Sequence, residues 1–194
     1  MKIQDLFAVT VLAAVALAPL SAGATTYVGD RVIGDATVDL SITTDGTLGA
    51  LSQSDILDWN IQITDGAGSA DMTTANSQVL DTGNDLSATA TALDFNFSGS
   101  SILLFEETAI GDGGPFYCAS NGSDCFGETG PAEGVSSQFG EVPLEQVAQA
   151  GVVTLATTGN GGVPEPAAWA LMLVGFGGLG AMLRARRNLA SATA

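Results

Sequence analysis

Histidine is absent from the 194 residues, and the stretch between residues 25 and 163 holds no lysine. Those gaps remove the Ser-His-Asp and Cys-His nucleophile systems, histidine-ligated zinc or copper, and Schiff-base chemistry. What remains is oxygen and sulfur. Cys118 and Cys125, in the run CASNGSDC, are the two cysteines of the chain. In an oxidising compartment a pair this close reads as a disulfide stapling a surface loop. A metal pair lacks further sulfur or imidazole ligands, and a catalytic thiol lacks a base. Asp112, Asp124, Glu128 and Glu133 fall in one loop-like segment, and Asp81 and Asp85 in another. Their oxygens are of the kind calcium takes, but no stretch has EF-hand spacing. Calcium is the one cofactor left open, and no metal-ligand set is assigned. Glycoside hydrolysis needs two carboxyl groups across one bond. Glu106 and Glu107 are neighbours, so on a strand they face opposite ways. With no acid–base pair and no nucleophile, the expectation is a protein that is not an enzyme.

The charge pattern narrows the partners. Between residues 25 and 163, Arg31 stands alone against nineteen of the twenty-one acids. So acidic a region repels nucleic acid and anionic headgroups, which excludes DNA and RNA as partners. It suits a solvated, self-repelling exported surface.

These residues need a scaffold, and the hydrophobic pattern predicts strands. Over Thr37–Thr43, Val38, Leu40 and Ile42 alternate with Asp39 and Ser41. Over Ile56–Thr64, Leu57, Trp59, Ile61 and Ile63 make one face, and Asp58, Asn60 and Gln62 the other. Leu93, Phe95 and Phe97 alternate with Asp94 and Asn96. Ile102–Phe105 is a short apolar run suited to a buried strand, and Gly151–Thr157 supplies a late one. Asp45-Gly46 is a turn signal. Residues 111–140 read as a long irregular region, and Glu141–Ala150 as one short helix. The fold class expected is mainly β, an antiparallel β-sandwich or jelly-roll-like domain over residues 25–157. A linker at 158–163 follows.

Both ends are targeting segments. Residues 1–24 read as a signal peptide: Lys2, an apolar run from Leu6 to Leu20, Pro19 near its end, and Ala22 and Ala24 as the small residues of the cleavage site. Residues 163–187 read VPEPAAWALMLVGFGGLGAMLRARR. The charge-free stretch 167–183 predicts a membrane helix, about 25 Å long at 1.5 Å per residue, short for a bilayer core of about 30 Å. Trp169 sits where an indole favours the interface. Arg184, Arg186 and Arg187 hold the following end, with the tail 188–194, in the cytoplasm. The acidic domain then lies outside. Gly175, Gly177 and Gly180 spell GxGxxG, but the preceding strand, the βαβ context and the distant acid of a dinucleotide site are missing.

Val163, Pro164, Glu165 and Pro166, then Trp169-Ala170, Gly175-Phe176-Gly177 and the arginines, resemble the PEPxxWA variant of the PEP-CTERM sorting domain. That element is also described as an ice-binding protein C-terminal domain. The resemblance covers the last 25 or so residues. It implies a Gram-negative host that makes exopolysaccharide, and an exosortase that recognises Pro164, Glu165 and Pro166. It also implies an inner-membrane stage before delivery to the cell surface or extracellular matrix. The function expected is a noncatalytic surface or exopolysaccharide-matrix protein. The alternatives are a carbohydrate-, calcium- or ice-binding module and, last, a carboxylate-dependent hydrolase. Ice binding wants a regular threonine array, which Thr43-Thr44, Thr73-Thr74, Thr89 and Thr91 do not form.

Overall fold

The computed structural model describes residues 23–122, 130–140 and 145–159. They form two antiparallel sheets, and one core lies between them. The larger sheet comprises β1 (Thr25–Ile33), β2 (Ala36–Thr44), β3 (Gly49–Ala50), β4 (Ile56–Asp65), β5 (Gly68–Thr73), β7 (Leu86–Ala88), β8 (Ala92–Asn96) and β13 (Val152–Thr158), in the spatial order β3-β7-β8-β13-β1-β2-β4-β5. The smaller comprises β6 (Ser77–Thr82), β9 (Ile102–Glu107), β10 (Phe116–Ser120), β11 (Ala132–Ser136) and β12 (Glu145–Ala148), in the order β12-β11-β10-β9-β6. The last of the described strands in sequence, β13, pairs with β1 on one side and β8 on the other.

Alternation explains the pairing of the larger sheet. Val38, Leu40 and Ile42 of β2, Ile61 and Ile63 of β4, and Leu93 and Phe95 of β8 are buried. They meet Val79, Leu103, Phe105, Tyr117 and Val135 of the smaller sheet in a single cluster. Side chains at period two put one face of each sheet into this core and leave the other face of β2 to Thr37, Asp39, Ser41 and Thr43. Gly34, at φ +59°, closes the β1–β2 hairpin in a two-residue turn that needs a left-handed residue.

Four sequence expectations need correction. The region 111–140 is not irregular throughout. It contains β10 and β11, every residue of which is buried. Strands covered on both faces lose the alternation that would reveal them. Glu145–Ala148 is a strand paired with β11, not part of a helix; its alternating burial reflects a period of two. Leu57 does not face the core. A bulge pairs Thr43 with Asp58 and Thr44 with Ile56, so Ile56 is buried and Leu57 is exposed. Glu133 is no loop acid but a residue of β11, as described below. Among the described residues no helix is long and apolar enough to cross a membrane; the expected span 167–183 lies outside them.

Candidate functional site

Three constellations of polar side chains are built into the sandwich. The first joins the two sheets. Glu133 on β11 is completely buried, and the Arg31 guanidinium of β1 forms a two-point ion pair with it. The Tyr117 hydroxyl donates to Glu133 Oε1 at 2.8 Å and Gln149 Nε2 to Oε2 at 2.5 Å. Arg31 also donates to the Thr154 carbonyl of β13 at 3.2 Å. Burial works against the charge on Arg31, yet Glu133 holds its pKa above the ordinary value. Burial, together with Glu133, pushes the Tyr117 hydroxyl well above its ordinary value. Each of the three guanidinium nitrogens of Arg31 donates within the cluster, and Glu133 is fully buried, so the cluster acts as a structural tie between the sheets.

The second encloses Glu106. This carboxylate is fully buried and accepts the backbone amides of Gly111 and Gly113, each at 2.6 Å, and of Gly114 at 3.3 Å. Gly111 and Gly113 have φ of +91° and +70°, which lets successive amides converge on one anion. A Cβ on Gly114 would lie 1.8 Å from the Glu107 carbonyl, so only glycine fits there. The anion in this nest is the protein's own side chain. Glu107, the next residue of β9, lines a separate cleft, so the two acids are divided between environments as the strand period requires.

The third is a set of acids at the end of β6. Asp85 accepts Ser101 Oγ at 2.6 Å and the Ser100 amide at 2.8 Å, and these bonds, led by Ser101, hold it below the usual carboxylate range. Asp81 has no such donors: among the described residues both of its carboxylate oxygens are buried without a partner. Burial first, then the charges of Asp85 and Asp55, push its pKa up to about 6. Asp112 lies in the loop that wraps Glu106, and Asp124 and Glu128 lie outside the described residues. Among the described residues no group of three or more histidine, cysteine or acidic side chains is arranged to hold a metal ion.

An open cleft of about 560 Å³ lies between the edge strand β5 and the segment that follows β11. Asp71, Glu107, Gln138 and Phe139 are among the residues that line it. Sequence reasoning missed this cleft because its rim is assembled from four separated segments, residues 69–71, Glu107, Pro115 and residues 137–139. The exposed Phe139, in a run of Ser, Gln and Gly, was its one legible sign.

Cys118 lies on β10, fully buried, and among the described residues no cysteine is free. Its expected partner Cys125 lies outside the described residues, as do Ala22, Ala24, Pro164, Glu165, Pro166, Trp169, Arg184, Arg186 and Arg187.

Glu133 and Glu106 are thus satisfied by the fold itself, and the functional question moves to the C-terminal run. A family model for the PEP-CTERM protein-sorting motif matches residues 162–187. The chain carries a PEP-CTERM sorting motif. The match takes in the Pro164-Glu165-Pro166 signal, the apolar stretch and the arginines, and it leaves the β-sandwich unassigned. No curated protein and no solved structure matches the chain. A PEP-CTERM motif implies export, recognition by an exosortase-type processing enzyme and delivery to the surface. Proteins that carry this signal are generally noncatalytic surface proteins.

Proposed function

We propose that the chain is a noncatalytic surface or exopolysaccharide-matrix protein whose acidic β-sandwich is delivered outside the cytoplasm and released from a temporary membrane hold by an exosortase. The PEP-CTERM match over residues 162–187 carries this reading. The signal peptide 1–24 would be removed after Ala24; β1 begins at the next residue, Thr25, which supports that boundary. The strand β13 ends at Thr158, and the Pro164-Glu165-Pro166 signal follows it in the sequence. Proline after Glu165 would disfavour helix at that residue. Helix 167–183, with Trp169 at the outer interface and Arg184, Arg186 and Arg187 inside, would hold the chain in the inner membrane until cleavage. In the oxidising exterior Cys118 and Cys125 would close a disulfide.

Mass spectrometry of the mature protein from its host tests the reading. The expected product begins at Thr25 and lacks the residues beyond the Pro164–Pro166 signal. Replacing Pro164, Glu165 and Pro166 with alanine is expected to leave the chain in the inner membrane with its C-terminus intact. Recovery of an intact C-terminal helix on surface-delivered wild-type protein sinks the sorting proposal. Cleavage of a polysaccharide panel by the purified chain would overturn the noncatalytic part.

A further inference from the structure

We propose that the cleft beside β5 binds a neutral glycan chain, with Phe139 as the stacking platform and Asp71 and Glu107 as acceptors for sugar hydroxyls. Phe139 is 71% exposed, whereas the other exposed large apolar side chains among the described residues are aliphatic. Its exposure is held in place. On one side Ser137 gives its hydroxyl and its amide to Asp65 at 2.7 and 2.9 Å, and Gln138 Nε2 donates to the Ala67 carbonyl at 3.0 Å. On the other side the Gly140 amide donates to the Gly113 carbonyl at 2.7 Å. With the chain anchored on both sides of Phe139, little backbone entropy is lost when a ligand covers the ring, which favours binding.

The chemistry of the rim selects the ligand. The C–H face of a pyranose ring is apolar and slightly positive, and it suits the negative face of an aromatic ring. Its hydroxyls are donors that Asp71 and Glu107 can accept. No lysine or arginine lines the cleft, and Arg31, the one cation among the described residues, is bound to Glu133. Phosphorylated, sulfated or uronic ligands would therefore meet carboxylates with no counter-charge. A volume of about 560 Å³ falls within the range of about 300–1,000 Å³ typical of small-ligand sites. Its open form lets a polymer pass through instead of enclosing one sugar.

This inference depends on the surface reading only for where the ligand is met; the binding itself is separable. The test is isothermal titration of the full chain, in a detergent without a sugar headgroup, against neutral gluco-, manno- and galacto-hexaoses. Polygalacturonate serves as the anionic control. Saturable binding of at least one neutral hexaose is expected. Phe139→Ala should weaken it about tenfold or more, the scale of one lost anchor. Phe139→Trp should retain it, Asp71→Asn should weaken it, and Val152→Ala, away from the cleft, should leave it unchanged. Circular dichroism of the variants checks that the fold persists. Absence of neutral-hexaose binding, equal binding of polygalacturonate, or an unchanged affinity in Phe139→Ala overturns the proposal. Failure of sorting would instead show in the C-terminal mass of host protein, with these titrations unaffected.

Discussion

Asp81 is the side chain that the fold treats worst. Its carboxylate is inside the β6 end of the sandwich, with Asp85 and Asp55 facing it and no donor bond among the described residues. Its pKa is raised from 3.8 to about 6. The folded state therefore takes up a proton that the unfolded chain does not yet bind. The penalty of the ionised form is fully present above about pH 6 and is relieved as pH falls from 6 towards 4. The full shift corresponds to about 3 kcal/mol, and partial exposure screens this to about 1 kcal/mol. Asp65 and Asp85 run the other way. Ser137 with the Ala67 and Gly68 amides overcomes the burial of Asp65 and lowers its pKa, and Asp85 is lowered first by Ser101. Their stabilisation is present above the unfolded value and is lost only at more acidic pH. Asp81→Asn should thus raise the melting temperature at pH 7.5 and give much less benefit at pH 4.5. An unchanged or lower melting temperature at pH 7.5 would refute this.

At the scale of elements, the two sheets are joined by the Arg31–Glu133 pair, which runs from β1 to β11 and touches β13 through Thr154. Arg31→Ala would leave Glu133 buried beside Tyr117 with its charge uncompensated, at a cost of about 3–5 kcal/mol. Denaturant titration reads this as a lower midpoint with the same slope; a loss below about 1 kcal/mol would show that Glu133 finds other partners. Glu133→Gln, which removes the charge and keeps the shape, should cost less than Arg31→Ala. The sequence made Arg31 conspicuous as a lone cation, but its partner is 102 residues away and no local pattern joins them. Strands with one wet face were legible: β2, most of β4, and β8 through Leu93 and Phe95 follow the alternation of their residues. β10 and β11 were not, because burial on both faces erases the alternation, and Glu133 in β11 looks like a loop acid until its counter-charge is located. The one-residue bulge opposite Thr43–Thr44 reversed Leu57 for a similar reason: the register depends on the partner strand. Of the candidate site, Phe139 was visible as a residue but its cleft was not, since β5, β9 and the segment after β11 come together only through the sandwich.

For the whole molecule, the position of β13 links folding to sorting. This last strand is central, with β1 on one side and β8 on the other, and its Leu155 and Ala156 are buried in the common core. Gly29 of β1 lies so close to it that an added Cβ would sit 2.4 Å from the Leu155 carbonyl. The larger sheet is therefore two disconnected halves until residues 152–158 arrive, and a topology so rich in distant pairings folds slowly. Those residues precede the Pro164-Glu165-Pro166 signal by only a few positions, so the sheet closes only when nearly the whole exported chain has emerged and the sorting motif is next in line. Every described strand ends before the signal, so the proposed cleavage there would leave all of them in the product. Two truncations separate these statements. A chain ending at residue 160 should retain a cooperative thermal transition with a melting temperature close to that of the full chain. A chain ending at Gly151 loses the strand between β1 and β8, exposes both of their edges, and should show no cooperative transition and a strong tendency to aggregate. If the shorter chain melted cooperatively near the same temperature, β13 would be an accessory strand, and the sandwich could fold before its C-terminal segment reached the outside.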